Sequence, residues 1–506
     1  MSPSPTHPSR GVLKFAASLA SAAACLAAPL VSPLVTSLHA QSATQSAQFK
    51  VPEIPVERYT LPNGLTVLLS RDTSSPVIAV DVWYHVGSKN ERVGRTGFAH
   101  LFEHVMFQGS EHIPYGVHIR TIENAGGDMN GTTAEDRTNF FETLPSNQLE
   151  TALWLESDRM GYLLGALDQT KLDAQRDVVK NERRQRVDNQ PFGSADEVLR
   201  AAMYPASNPY SWPVIGSMAD LSAASLEDVK NFFRTYYAPT NATLAVVGDF
   251  DVAKTKALIE KYFGPIPSGP AVTRPTIAPV TLSAEKRLVL EDEKGQQPSL
   301  VIDWPTVGND HPDDETPLEI LGNVLTQDRT SRLTKLLVYD RQLAVGVSAG
   351  QDSKENGGDF SISVRPRPGV SLTQIEQLVD STVQALLTTA PPTTAEVDRF
   401  KNYEKVQMVL GLDGAMNRAE ILLDGQTFYA DPLHYVKSTN RELAVTADQV
   451  AAVAKKYLTP GRLVLSMVPA GKLDMISKPN EPYTNATPKP ELQQPAAPTP
   501  APTTGK

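Results

Sequence analysis

An internal repeat constrains the fold of this chain more than any other feature. Residues 226–248 show a helical pattern that ends at a proline and then passes into an apolar strand. Residues 446–468 show the same order, and Asp228 and Asp448 occupy equivalent places at an offset of 220 residues. Self-similarity of this kind predicts that the chain contains two copies of one domain.

A second pair of matching segments lies earlier in each copy. Apolar, strand-like runs begin at Pro76 and Pro298 and end at Gly87 and Gly308. The chain has 506 residues, which is too long for one hydrophobic core, so length alone also favours at least two domains. Helical and strand-like patterns within each copy predict the α+β class.

Segments rich in helix and strand breakers give the predicted domain boundaries. We expect domains at residues 52–265 and 285–472, joined by a proline-containing linker at residues 266–284. Proline, alanine, threonine and glutamine dominate residues 478–506. A segment so poor in apolar side chains is expected to be disordered.

The first forty residues predict an export signal. Arg10 and Lys14 precede a long apolar stretch, and small residues before Ala40 suit cleavage after it, so residues 1–40 are expected to be removed. A retained membrane anchor, or a lipoprotein modified at Cys25, is an alternative. Cleavage at Ala40 predicts a periplasmic or secreted protein without a membrane span. It would also remove the chain's one cysteine, leaving histidine and carboxylate side chains to hold any metal.

The charge of the chain excludes one class of partner. The formal net charge is -10, and no cluster of lysine and arginine stands out. Binding to nucleic acid requires such clusters to neutralise phosphates. We therefore expect no nucleic-acid partner.

The chemistry of the chain is expected at one short helical segment. On a helix, His100, Glu103 and His104 project from one side, and the opposite side carries apolar residues that anchor it to a core. Two histidines one turn apart can share a metal ion, and a neighbouring glutamate can act as a general base. A histidine pair at this spacing is also common on ordinary helix surfaces.

A third ligand is needed for a catalytic metal site. Glu182 lies in a polar helical stretch in which Val178 and Val179 are expected to point inward. Glu150 and Glu156 lie on an earlier predicted helix and are rivals. Spacing alone leaves the choice open.

The segment Gly97-Phe-Ala-His-Leu-Phe-Glu-His-Val-Met-Phe-Gln-Gly-Ser closely resembles the inverted-zincin motif of the pitrilysin/insulinase metallopeptidase family. The resemblance extends over residues 52–472 and includes residues 126–138, which are similar to the segment of the family that lies along the substrate. It implies two homologous α+β domains, each an antiparallel sheet with helices packed on one face, which together form a clam-like cleft.

The resemblance also assigns roles to individual residues. His100, His104 and Glu182 would hold one zinc ion per chain, and Glu103 would be the general base. The implied activity is that of a zinc-dependent endopeptidase that hydrolyses short or unfolded peptides.

A peptide substrate would add as a strand to a sheet edge. The resemblance implies that Asn130 and Thr133 contact it, and that the run from Thr138 to Leu144 supplies the edge. Without the resemblance, Asn130 is equally well explained as a turn residue beside Gly131.

The chain departs from the family at three positions. Gln175 stands where active relatives carry a glutamate that supports the metal site from outside its ligands, so the properties of the site can differ. Val338 and Val345 stand where relatives carry an arginine and a tyrosine that complete the site across the cleft, although Tyr339 and Arg341 lie nearby. The second half therefore looks non-catalytic.

These departures predict the zinc-bearing subunit of a heteromeric peptidase, whose homologous partner supplies the arginine and tyrosine. A peptidase that works alone or as a homodimer is an alternative. Two further alternatives are a non-proteolytic assembly or binding subunit and a hydrolase of non-peptide substrates.

Overall fold

The structure is a computed structural model that describes residues 49–488. The predicted signal peptide at residues 1–40 lies outside the described residues. No helix between residues 49 and 488 is long and apolar enough to cross a membrane.

The N-terminal half forms a six-stranded sheet with the strand order β1-β2-β6-β3-β5-β4. Its strands are β1 (Glu57–Thr60), β2 (Thr66–Arg71), β3 (Val77–Tyr84), β4 (Asp128–Thr133), β5 (Thr138–Pro145) and β6 (Ala242–Gly248).

The C-terminal half forms a second six-stranded sheet with the order β12-β7-β11-β8-β10-β9. Its strands are β7 (Lys286–Asp292), β8 (Ser299–Thr306), β9 (Ala344–Lys354), β10 (Gly357–Pro366), β11 (Leu463–Pro469) and β12 (Thr484–Asn485).

Helices connect the strands in both halves. In the N-terminal half they are α1 (Phe98–Val105), α2 (Val117–Asn124), α3 (Leu149–Ala166), α4 (Gln169–Arg183), α5 (Ala195–Met203), α6 (Met218–Ala223), α7 (Leu226–Tyr236) and α8 (Val252–Phe263). In the C-terminal half they are α9 (Pro312–Thr326), α10 (Leu372–Leu387), α11 (Thr394–Gly411), α12 (Ala415–Tyr429), α13 (His434–Ala444) and α14 (Ala447–Tyr457).

The two sheets have equivalent strand orders, and the predicted fold class is confirmed. Most neighbouring strands are antiparallel, but β2 pairs with β6, β7 pairs with β11 and β12 pairs with β7 in parallel. For β6 and β11, parallel pairing is possible because these strands return to the sheet after long helical connections.

Each half also covers the sheet of the other half. α12, from the C-terminal half, packs across β3 and β6, where Leu422 and Leu423 join Trp83 and Val247 in one buried cluster. α5, from the N-terminal half, packs against β11 in the second sheet. The other face of each sheet carries helices of its own half. Both sheets are therefore buried on both faces, and the smaller apolar clusters between the halves contain residues of both.

The ends of the second half refine the predicted boundaries. Residues 267–285 contain no helix or strand, whereas the predicted disordered tail at 478–506 begins too early. Thr484 and Asn485 pair with β7, and Lys478 forms an ion pair with Glu376. These contacts order the start of the tail. β12 also covers the edge that β7 would otherwise expose. Residues 489–506 lie outside the described part of the chain.

Candidate active site

The site is built on α1, whose first turn is fixed by a glutamate from outside the helix. Glu91 accepts hydrogen bonds from the backbone N–H groups of Gly97 at 2.9 Å and Ala99 at 2.8 Å. Gly97 has a positive φ of 86°, and a Cβ atom there would lie 2.7 Å from the carbonyl oxygen of Ile215. Glu91 was not predicted, because it precedes the helix by more than the usual spacing of a capping residue.

The apolar side of α1 anchors it as the sequence predicts. Leu101, Phe102 and Val105 are completely buried in the main core of the N-terminal half. His100 and His104 project from the other side, and their ring centroids lie 4.8 Å apart at an interplanar angle of 86°. The helix therefore presents two imidazoles to one point.

α4 brings a carboxylate to the same point. Oε2 of Glu182 lies 3.1 Å from Nε2 of His104 and 3.8 Å from Nε2 of His100. The three side chains form a group whose ligand atoms all lie within 4.8 Å of one another. The rivals are engaged elsewhere: Glu150 binds Lys261 on the surface, and Glu156 belongs to a separate buried group.

The protonation states of His100 and Glu182 suit the binding of a cation. Burial, together with the neighbouring His104, lowers the pKa of His100 to about 4, so its ring is neutral at pH 7. Burial raises the pKa of Glu182, but His104, His100 and Arg186 outweigh burial and lower it to about 2. Arg186 contacts the other oxygen of Glu182, Oε1, at 2.8 Å. Its part in the site was not predicted.

Glu103 lies beside the three side chains and is held by a hydroxyl group. Thr133 Oγ1 donates a hydrogen bond to Oε2 of Glu103 at 2.7 Å. Burial raises the pKa of Glu103 to about 7, although Thr133 and His104 act in the opposite direction. A carboxylate with such a pKa can accept and return a proton near neutral pH.

The strand beside the site is a sheet edge, but not the one predicted. β5, the run from Thr138, is paired on both sides by β3 and β4, so β4 is the edge strand. The prediction was wrong because the two strands form a hairpin and the first one lies outermost. β4 contains both Asn130 and Thr133, and the side chain of Asn130 accepts a hydrogen bond from the backbone N–H of Gly131 at 2.9 Å.

The helix face behind Glu182 differs partly from expectation. Gln175 is buried two turns before Glu182 on α4. Val179 is completely buried, but Val178 is 44% exposed. The expectation that both valines point inward was wrong for Val178, because adjacent residues of a helix are about 100° apart and only Val179 faces the core.

The positions that depart from the family lie in the second half. Val338 is half-buried against the second core, and Val345 on β9 is 56% exposed. Tyr339 is exposed, with the guanidinium group of Arg329 over its ring. Arg341 is also exposed.

A second group of potential ligands lies between β5 and the helices α2 and α3 and was not predicted. His118, Glu142 and Glu156 are buried together. The guanidinium group of Arg159 forms an ion pair with Glu156. All three side chains of this group are buried, whereas those of the group on α1 and α4 are only partly buried.

Sequence models of one peptidase family match the greater part of the chain. The model described as "Insulinase (Peptidase family M16)" matches residues 66–214, and "Peptidase M16 inactive domain" matches residues 223–403. The chain therefore belongs to the insulinase family of peptidases, family M16. The family that the sequence motif indicated is confirmed.

Relatives support this membership along both halves. "Zinc protease PqqE" of Helicobacter pylori is 28% identical over 389 residues, which cover 76% of this chain and 85% of the relative. "Mitochondrial-processing peptidase subunit beta" of Blastocladiella emersonii is 25% identical over 432 residues, covering 83% and 89%. The crystal structure of a protease from Helicobacter pylori matches with a TM-score of 0.76 at 26% identity, covering 82% of this chain and 99% of the other.

Proposed function

We propose that this chain is a zinc-dependent endopeptidase that hydrolyses short or unfolded peptides. The observation that carries the proposal is the convergence of His100, His104 and Glu182 within 4.8 Å, with Glu103 beside them. Relatives named zinc proteases support the same chemistry.

The three side chains fit zinc as ligands. Zinc in catalytic sites takes three protein ligands, commonly histidine and carboxylate, and keeps one position open. His100, with its pKa lowered to about 4, and the ionised Glu182 are already in the protonation states that a metal ion requires. When bound, zinc supplies Lewis-acid chemistry that polarises a carbonyl group.

Glu103 would move the proton in this reaction. Its carboxylate accepts a proton from the attacking water and returns it to the leaving amine. The hydrogen bond from Thr133 fixes Oε2 of this carboxylate. Arg186 holds Oε1 of Glu182 and so leaves Oε2 directed at the two histidines.

The substrate would bind as an extra strand along β4. Among residues 49–488, this strand pairs with another strand on one side only, and backbone hydrogen bonds along such an edge place little demand on the substrate sequence. Asn130 and Thr133 lie on this strand, and we propose that Asn130 contacts the peptide. A folded protein cannot offer an extended strand, so short or unfolded peptides are the expected substrates.

We further propose that the chain acts as the zinc-bearing subunit of a heteromeric peptidase, in the periplasm or outside the cell. Val338 and Val345 cannot donate hydrogen bonds to the developing oxyanion, so a homologous partner would supply an arginine and a tyrosine. A relative that is itself named as a subunit supports this arrangement. The predicted signal peptide supports the location.

The test is a peptidase assay on an unstructured quenched peptide, with the zinc-loaded chain alone and with proteins that co-purify from its native source. We expect weak turnover by the chain alone, a large gain with a partner that carries the arginine–tyrosine pair, and loss on chelation. Full turnover by the isolated chain would favour a stand-alone or homodimeric peptidase. Absence of turnover with every partner would favour a binding subunit or a non-peptide substrate.

A further inference from the structure

A hairpin turn from each half meets the other beside the active site. The β4–β5 turn at residues 134–137 contains Asp136, and the β9–β10 turn consists of Glu355 and Asn356. Oδ2 of Asp136 accepts a hydrogen bond from the backbone N–H of Glu355 at 2.8 Å. The Tyr210 hydroxyl donates to Oδ1 of Asp136 at 2.9 Å and accepts from the backbone N–H of Asn356 at 3.3 Å.

A buried ammonium group joins the same two turns. Lys89 is 2% exposed, and its Nζ lies 2.9 Å from Oδ1 of Asp136 and also contacts Oε2 of Glu355. Nε2 of His85 lies 2.7 Å from the same oxygen of Glu355. Burial raises the pKa of Glu355, but His85 and Lys89 outweigh it and lower the pKa to about 2. One carboxylate from each half therefore shares a single buried cation.

The β4–β5 turn has little freedom of its own. The backbone N–H groups of Ser88 and Lys89 donate to the carbonyl oxygens of Ala134 at 3.2 Å and Glu135 at 3.0 Å. A Cβ atom at Gly87 would lie 2.3 Å from the carbonyl oxygen of Ala134, so the two segments are in close contact. The position of this turn is thus set by what packs around it.

The turn is continuous with the residue that holds the general base. Thr133 is the last residue of β4, directly before the turn, and its hydroxyl donates to Glu103 at 2.7 Å. Only two residues separate Thr133 from Asp136, too few for the strand end to stay fixed if the turn moves. A displacement of the turn would therefore change the Thr133–Glu103 hydrogen bond.

We propose that Glu355 of the C-terminal half is a positioning residue for the active site and acts through Asp136, Thr133 and Glu103. The inference rests on the proposed peptidase function. It gives the second half a part in the reaction that does not require a catalytic group: its β9–β10 turn fixes the edge strand and the carboxylate of the general base.

The first test measures hydrogen exchange in residues 128–138 of the full chain with the substitution Glu355→Gln. Loss of a charge-assisted contact should raise exchange in this hairpin by about tenfold. The matched control is Glu396→Gln, because Glu396 also lies in the C-terminal half, pairs with Arg332 and has a pKa lowered to about 2. The control should leave the hairpin unchanged. Equal exchange in both variants would overturn the proposal.

The second test is a double-mutant cycle on peptide turnover. Glu355→Gln should lower kcat by roughly tenfold with unchanged zinc content, and Thr133→Val should lower it through the same hydrogen bond. The double variant should be no slower than the slower single variant. Multiplied losses would show that Glu355 does not act through Thr133 and would contradict the proposal.

A milder variant covers the case in which Glu355→Gln fails to fold. Tyr210→Phe removes only the hydroxyl that bridges Asp136 and Asn356, and it should also raise exchange in residues 128–138. Failure of the proposed peptidase function would be recognised separately, because the wild-type chain would then show no peptide turnover. The hydrogen-exchange result would still show whether Glu355 fixes the β4–β5 hairpin.

Discussion

At the scale of the residue, Glu103 combines a raised pKa with a place beside three potential metal ligands. Its side chain is partly buried, and burial raises its pKa to about 7. A buried carboxylate with a pKa near neutrality is a common feature of general bases. Glu103 is therefore the side chain to which the proposed mechanism assigns the proton transfer.

We expect Glu103→Gln to retain zinc and to lose peptide turnover by roughly a thousandfold, since an amide cannot accept the proton. Zinc content is measured by elemental analysis and turnover with a quenched peptide. Near-normal turnover by the variant would show that Glu103 is not the general base.

The pKa of Glu103 also sets the expected pH dependence. The carboxylate is active only when ionised, so kcat/KM should rise as the pH increases through about 7 and level off above it. Thr133→Val removes a hydrogen bond that lowers this pKa, so its profile should move to higher pH, whereas Thr133→Ser should keep the wild-type profile. If Thr133→Val had the same pH profile as the wild type, the contact between Thr133 and Glu103 would be contradicted.

The sequence predicted these residues unequally. His100, Glu103 and His104 follow from one helical motif, because a helix fixes the directions of residues that are one turn apart. The role of Thr133 could not be predicted, because it depends on where an edge strand passes a helix that lies thirty residues away. Glu91 likewise acts on partners that local periodicity does not identify, whereas Arg186 follows Glu182 by four residues, a spacing that could have indicated the pair.

At the scale of the element, α10 illustrates how charge fixes a helix to a sheet. The fully buried Glu376 on α10 binds Arg287 of β7 at 2.6 Å and Lys478 at 2.7 Å. Burial raises the pKa of Glu376, but these partners and Ser477 outweigh it and lower the pKa to about 2. The same contacts order the segment that leads to β12.

This pKa predicts acid sensitivity of the second half. Because the folded-state pKa lies below the ordinary value of 4.5, the stabilisation is complete above about pH 4.5 and is lost as the pH falls toward 2. Glu376→Gln should lower the free energy of unfolding by about 2 kcal/mol at pH 7 and flatten its fall in acid. Urea titrations at several pH values measure this, with the exposed Glu293→Gln as control. If the free energy of unfolding of Glu376→Gln fell in acid as steeply as that of the wild type, the predicted role of Glu376 would be contradicted.

Strands were harder to predict than helices. The sequence predicted that the run of β5 supplies the sheet edge, whereas β4 is outermost, because period-two patterns do not indicate which of two hairpin strands lies at the edge. β12 was assigned to a disordered tail because its composition is polar, whereas backbone pairing with β7 orders it regardless of side chains.

At the scale of the whole molecule, each half covers one face of the other half's sheet. The sequence repeat predicted two homologous domains, but nothing in the repeat indicates that α12 covers the first sheet and α5 the second. Such coverage depends on contacts between residues hundreds of positions apart. Each sheet would expose an apolar face without the other half.

We therefore expect Leu422→Ala, on α12, to destabilise both halves. The side chain is completely buried against the first sheet, and its truncation should cost about 3 kcal/mol. Hydrogen exchange should rise in β3 as well as in α12. Leu410→Ala, at a position that is 59% exposed, is the control with little expected effect. Exchange that rises only within the C-terminal half would show that the halves are independent.

Equilibrium dialysis of the folded chain against buffered zinc tests whether His100, His104 and Glu182 hold the metal ion. We expect one tightly bound zinc ion per wild-type chain, and loss of that ion in His104→Ala and in Glu182→Gln without loss of folding. A wild-type chain that binds no zinc, or variants that retain the wild-type affinity, would show that these three side chains are not a zinc site.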